Sequence, residues 1–206
     1  MRTKIKICGL KILEDIQMIN RLKPDYAGFV FADGKRKISP SQAEALKKAL
    51  SPDIKAVGVF VNEDPQAAAG LVAAGIIDLI QLHGDEDEAY LREIRKLIDV
   101  PVVKAVRVRD TEDILREEAL SCDFLLLDTY TKGVYGGSGK TFDWSRIPRM
   151  KKPFFLAGGL NAANVKDAIA RCAPMAVDVS SAVETEGRKD QEKIKAFLKA
   201  VRGEAI

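Results

Sequence analysis

Short apolar runs rich in β-branched residues recur along the chain, at residues 5–8, 27–31, 56–61, 79–82, 102–106, 124–127, 154–157 and 176–179. Their starts lie roughly 20 to 30 residues apart, the length of one strand, one helix and two short loops. Between them the apolar positions take helical spacing. Ile12, Ile16 and Ile19 form one stripe, and residues 85–97 set Leu91, Ile94 and Leu97 against a charged face. Ser39-Pro40-Ser41-Gln42 is a capping box with proline at the first helical position, and Asp64-Pro65 opens the next helix in the same way, with Gly75 at its end. Strands that are apolar throughout are buried on both faces, as in a parallel sheet covered by helices. Eight such units predict closure into a (β/α)8 TIM barrel, within a single domain spanning residues 1–206. A doubly wound open sheet is the rival, but Gly9 is followed by Leu10 and Lys11, not by the rest of a G-x-G-x-x-G turn.

A chain of 206 residues, 47% of them hydrophobic, suffices for one sizeable core. It is short for an eight-unit barrel, so the loops must be lean. The 33 basic residues exceed the 30 acidic ones by a surplus that is dispersed along the chain, which argues against the clustered basic face of a nucleic-acid binder. No continuous apolar run approaches the roughly 18 residues of a membrane span. Met1-Arg2-Thr3-Lys4 leads directly into the first strand, so a soluble, cytoplasmic protein is expected. Cys8, Cys122 and Cys172 form no C-x-x-C pair and there is one histidine, which argues for reduced thiols and against a structural metal.

In such barrels the chemistry gathers at the C-terminal ends of the strands. There the chain places Cys8-Gly9, the segment from Phe31 to Arg36, Asn62, His83-Gly84, Arg107, Asp128-Thr129, Gly158-Gly159 and Ser180-Ser181. The turns at 157–161 and 178–184 follow strands seven and eight, where barrel phosphate sites are commonly built. Glycine lets backbone N–H groups approach an anion, and a short helix starting near Ser181 would aim its positive end at the same place. Either turn alone reads equally well as a simple tight turn; the two together predict a phosphate site. A further glycine-rich segment, 132–141, ends in Gly-Lys-Thr as a nucleotide P-loop does, yet Val134 stands where that pattern needs glycine. A hinged lid beside the end of strand six is the better reading.

Cys8 is a candidate base or nucleophile if its surroundings favour the thiolate, the free group having a pKa of about 8.5. Taken alone, a small buried filler is the plainer reading, and it is the one given to Cys122 and Cys172. Asp128 follows Phe124-Leu125-Leu126-Leu127 into the mouth, where partial desolvation would raise its pKa from about 3.9 and let it donate a proton. An N-cap or a salt bridge to a loop lysine is the alternative, and Asp178 is read as a structural partner. His83 has the ordinary pKa of a base, but beside a glycine it reads as a hydrogen-bonded wall residue. Arg36 can clamp a carboxylate bidentately; a plain solvated basic loop with Lys35 and Lys37 competes with that reading.

Six segments, 6–10, 81–84, 127–129, 135–144, 156–161 and 178–184, together resemble the phosphoribosylanthranilate isomerase family of tryptophan biosynthesis, in order and over nearly the whole chain. The resemblance implies a (β/α)8 barrel that performs an Amadori rearrangement of N-(5-phosphoribosyl)anthranilate to 1-(2-carboxyphenylamino)-1-deoxyribulose 5-phosphate, without cofactor or metal. It implies Cys8 as general base, Asp128 as general acid and Arg36 as the holder of the anthranilate carboxylate. His83 falls among the substrate-binding residues, and Gly158, Gly159, Ser180, Ser181 and Ala182 form the phosphate site. Two positions depart from the family pattern: Ala182 replaces a glycine, and Gly34-Lys35-Arg36 replaces Ser-Pro-Arg. Relatives occur as monomers, dimers and fused enzymes, so a homodimer is one of the states admitted. The rivals are a ribulose-phosphate epimerase, whose metal-binding histidines a chain with one histidine cannot supply, and a catalytically silent phosphate-binding barrel.

Overall fold

The computed structural model describes residues 2–130 and 141–203. Eight parallel strands close into a barrel: β1 (Lys4–Cys8), β2 (Tyr26–Val30), β3 (Lys55–Phe60), β4 (Leu79–Leu82), β5 (Val102–Val108), β6 (Phe124–Thr129), β7 (Phe154–Leu156) and β8 (Ala176–Val179). Closure is made by β1 pairing with β8, Ile5 opposite Val177 and Ile7 opposite Val179. The helices between them are α1 (Leu13–Leu22), α2 (Pro40–Ala49), α3 (Pro65–Ala73), α4 (Glu88–Arg95), α5 (Thr111–Glu118) and α6 (Val165–Cys172). A two-residue-per-strand hairpin, β9 (Glu184–Thr185) and β10 (Arg188–Lys189), precedes the last helix, α7 (Gln191–Arg202).

The predicted caps at Ser39 and Asp64 are present, each accepting a backbone N–H of its helix, from Gln42 and Gln66 respectively. The helix expected over residues 85–97 is shorter, because Asp87 caps it by accepting from Tyr90 N. The crossover from β6 to β7 departs from the expected strand-helix repeat. Among its described residues the only helical element is the 3₁₀ turn Trp144–Arg146, and Pro148 and Pro153 remove N–H donors that a longer helix would use.

Alternation along each strand separates two apolar layers. Ile5, Ile7, Phe29, Ile80, Leu82, Leu125, Leu127 and Val177 face outward onto Ile16, Ile19, Leu46, Leu91, Ile94 and Phe197 of the helices. Tyr26, Val57, Leu79, Val103, Leu126, Phe155 and Ala176 fill the lower interior. Above this plug the inward positions turn polar, with Lys6, Gln81, His83 and Asp128 all buried. Barrel interiors are ordinarily filled by branched apolar side chains, so this polar layer needs a reason.

Candidate active site

Cys8 ends β1 on the inward parity, two residues above Lys6. It is held against Gly28 of β2, where an added Cβ would lie 2.8 Å from the thiol sulfur. Only glycine at 28 leaves room for the side chain in this place. Burial pushes the Cys8 thiol above its ordinary value; Lys6 and Lys189 pull it back toward the thiolate, and Asp178 opposes them. The condition that the surroundings favour the thiolate is therefore served only by the two lysines, against the net direction. Lys6 Nζ lies 3.0 Å from Asp178 Oδ2. Burial alone would push the Lys6 ammonium down, but Asp178 and the Cys8 sulfur outweigh it and hold the group above its usual range.

Asp128 stands on β6 with its carboxyl directed into the same mouth, 5% exposed. Its Oδ1 accepts the Thr129 N–H at 2.7 Å, and its Oδ2 lies 3.3 Å from His83 Nε2. Gln81 Nε2 is 2.9 Å from His83 Nδ1. The Nε2–Oδ2 approach is within ion-pair distance but makes no hydrogen bond, so His83 Nε2 is one of several buried polar atoms that find no hydrogen-bond partner among the described residues, with Asp178 Oδ1 and Thr129 Oγ1. Buried polar atoms are ordinarily paired, and these three lie on β6, which carries Asp128, on β8, which carries the partner of Lys6, and just past the end of β4 at His83. His83 thus lies beside Asp128, with Nδ1 against Gln81 and Nε2 facing the carboxylate.

Gly158 follows β7 with φ +78°, and a Cβ there would meet Thr129 Oγ1 at 2.3 Å and Asp128 Oδ1 at 3.0 Å. Gly158→Ala is expected to cost about 1–3 kcal/mol for the left-handed backbone alone, with a further loss of turnover because Asp128 must move. A thermal melt checks this, and an unchanged Tm would show that the turn adapts.

The neighbouring Gly159 is also left-handed, φ +68°, and its carbonyl accepts from Asn164 Nδ2 at 3.0 Å. Across the mouth, Ser180 Oγ donates to the Cys8 carbonyl at 3.1 Å, so that hydroxyl fastens the end of β8 to the end of β1. Ser181 and Ala182 lie in the 3₁₀ turn Ser181–Val183. Ala182 is not among the left-handed residues, so its Cβ is accommodated where the family pattern has glycine. The segment read as a lid, 132–141, lies outside the described residues except for Thr141.

Arg36 turns inward while Lys35 and Lys37 stay exposed. A Cβ on Gly9 would meet Arg36 Cδ at 2.3 Å, so the arginine lies directly over the turn after β1. Its Nε and Nη2 donate to Glu184 at 2.8 Å each, and Glu184 also accepts from Lys189 Nζ at 2.7 Å. Although burial works the other way, these two cations hold the Glu184 carboxyl down at about 2. Burial pushes the Lys189 ammonium below its usual range.

Sequence reading did not single out Lys6, Glu184, Lys189 or the Glu86–Lys104 pair. Lys104 Nζ donates to Gly84 O at 2.7 Å and lies 3.1 Å from Glu86, which accepts from Asn62 N at 2.8 Å. This buried network ties the turns after β3 and β4 together and so holds His83 in place. Its signal is a fully buried charge, Lys104, inside a largely apolar strand. A cavity of about 570 Å³ opens beside α5, but its lining includes none of Cys8, His83 or Asp128. Among the described residues no three His, Cys, Asp or Glu side chains converge as a metal site, and no helix is long and apolar enough to cross a membrane.

Residues 5–200 match the family model of N-(5′-phosphoribosyl)anthranilate isomerase. A protein of that name from Endomicrobium trichonymphae is 49% identical over 97% of this chain and 98% of its own length. Its counterpart from Thermoanaerobacter pseudethanolicus is 47% identical over the same shares. The crystal structure of the Thermotoga maritima enzyme superposes with a TM-score of 0.87 at 38% identity, covering 98% of this chain and 99% of that one. A second solved isomerase, in complex with reduced 1-(o-carboxyphenylamino)-1-deoxyribulose 5-phosphate, superposes at 0.81 with 36% identity over the same shares.

Proposed function

The chain belongs to the N-(5′-phosphoribosyl)anthranilate isomerase family, and from that premise we propose that Cys8 and Asp128 divide the proton transfers of the reaction between them. The protein is an isomerase of tryptophan biosynthesis, an intramolecular oxidoreductase that turns an aldose-type amine into a ketose. The observation that carries the division of labour is the placement of Cys8 on β1 and Asp128 on β6, both inward and both at the mouth.

Asp128 donates its proton to the furanose ring oxygen. The C1′–O bond breaks as the anilino nitrogen's lone pair forms the C1′=N bond of a Schiff base. Cys8, as thiolate, removes the C2′ proton, and the electron pair of that C–H bond forms the C1′=C2′ bond of an enolamine. Tautomerisation then places a proton on C1′ and leaves the ketone at C2′, so C1′ is reduced and C2′ oxidised with no external electron carrier. General acid and base contributions of this kind supply on the order of 10² to 10⁴ each.

The turns at Gly158-Gly159 and Ser180-Ser181-Ala182 are the proposed phosphate site, supported by their backbone geometry and by their place after β7 and β8. His83 is proposed to bind substrate from beside Asp128. Arg36 spends Nε and one edge of Nη2 on Glu184, which leaves Nη1 and the second Nη2 hydrogen for another carboxylate, proposed to be that of the anthranilate ring. The fluorescence of N-(5′-phosphoribosyl)anthranilate is lost on turnover, and that assay tests the reading. Arg36→Met is expected to raise KM roughly 10- to 100-fold with a smaller change in kcat, the worth of a charge-assisted pair. An unchanged KM would remove Arg36 from the site.

A solved family member from Thermotoga maritima is described as dimeric, which supports a homodimer here. A biosynthetic isomerase whose described helices cannot cross a membrane fits the cytoplasm. One barrel domain over residues 1–206 is the organisation proposed.

A further inference from the structure

Just past β8, two cations share one carboxylate, and the sharing leaves a charge over. Arg36 donates to Glu184 through Nε and Nη2, both at 2.8 Å. Lys189, which stands opposite Glu184 in the β9–β10 hairpin, donates to the same carboxylate at 2.7 Å. Its second bond goes to the Ser180 carbonyl at 3.1 Å, so the hairpin, the turn after β8 and the loop after β2 are joined through Glu184 and Lys189. Among the described residues no other carboxylate bonds to either cation. We propose that Glu184 is the positioning residue of the carboxylate subsite: it holds Arg36 over the turn after β1 and, because it neutralises only one of its two cations, leaves one positive charge in excess at the arginine for the substrate's carboxylate. The inference rests on the reading of Arg36 as the holder of the anthranilate carboxylate.

Exposure decides which of the two cations presents the excess. The Lys189 side chain is 1% exposed and that of Glu184 10%, so both are closed in by the protein. Arg36 is 28% exposed and lies over Gly9, where an added Cβ would meet its Cδ at 2.3 Å. The other anions of this side are engaged elsewhere: Asp178 lies 3.0 Å from Lys6 Nζ, and Asp33 lies 2.6 Å from Lys37 Nζ. A partly buried pair of cations with a single anion is costly, and a substrate that brings a carboxylate supplies the missing charge. An arginine free to swing would lose rotamer freedom at each binding event. Fixed through two of its donors, it presents the remaining edge of the guanidinium already oriented. A structural clip alone would account for Glu184 and Lys189, but not for a second, more exposed cation on the same carboxylate.

The test measures KM and kcat for N-(5′-phosphoribosyl)anthranilate in Glu184→Gln, in Arg36→Met and in the combination of the two. Glu184→Gln is expected to raise KM about tenfold with a smaller change in kcat, as the loss of a charge-assisted bond that serves binding. Because the glutamate works through the arginine, adding Glu184→Gln to Arg36→Met is expected to change KM by less than about twofold. Glu184→Gln strands the Lys189 ammonium, so Glu184→Gln/Lys189→Met, which removes both charges, protects the test against misfolding and is expected to show the same rise. Inhibition by inorganic phosphate separates the two ends of the substrate, and it is expected to be as strong in Glu184→Gln as in the wild type. The assignment is overturned by a KM that stays or falls in the charge-balanced variant with native circular dichroism, by effects of Glu184 and Arg36 that multiply, or by phosphate inhibition that weakens as much as KM rises. Each of these results leaves Arg36 in the site. The reading of Arg36 falls, and takes the inference with it, only if Arg36→Met keeps the wild-type KM.

Discussion

Asp128→Asn is expected to lower kcat by a factor between about 10² and 10⁴ while the barrel melts where the wild type does. The substitution changes one atom. Asp128 Oδ1 accepts the Thr129 N–H, and an asparagine carbonyl oxygen can accept the same bond in the same rotamer. Packing against Gly158 and His83 is conserved in shape. What disappears is a transferable proton at the place where the ring oxygen must be protonated before the C1′–O bond breaks. The loss therefore falls on kcat and on kcat/KM together, with KM little changed. Near-wild-type turnover would remove Asp128 from the mechanism.

Cys8→Ala is expected to reduce turnover over the same range, on the order of 10² to 10⁴, for the opposite reason. The base that takes the C2′ proton is gone, and ring opening by Asp128 is left without its second half. Stability should change little, because the thiol is small and sits at the mouth rather than in the apolar plug. Substrate binding is expected to persist, since Arg36 and the two glycine- and serine-rich turns do not depend on the sulfur. Turnover by this variant at more than about a tenth of the wild-type rate would mean that another group or water removes the proton.

The barrel was legible because most strands are followed by a covering helix, so the strands read as apolar runs at a regular spacing. The caps at Ser39 and Asp64 were legible too, since capping is local and needs only residues two or three apart. The sixth crossover was not, because strand spacing alone does not distinguish a helix from a 3₁₀ turn followed by irregular chain. Cys8 and Asp128 could be picked out as reactive side chains at strand ends. Lys6 could not, because reading residues 5–8 as one apolar run hides the alternation that sets Lys6 and Cys8 on one face and Ile5 and Ile7 on the other. The Arg36–Glu184 clamp joins residues 148 positions apart, and only the closure of β8 onto β1 brings them together. Ala182 is a different case. The sequence raises a question of strain, and the backbone answers it, since that residue is not left-handed.

The most direct test is a crystal structure of this protein with a reduced product analogue bound. The account predicts C2′ within about 3.5 Å of the Cys8 sulfur, the Asp128 carboxyl on the other side of the sugar near the C4′ oxygen, and the phosphate between the turns at Gly158-Gly159 and Ser180-Ser181. A complex in which the sugar lies on one side of both groups, or in which the phosphate sits away from those turns, would contradict it.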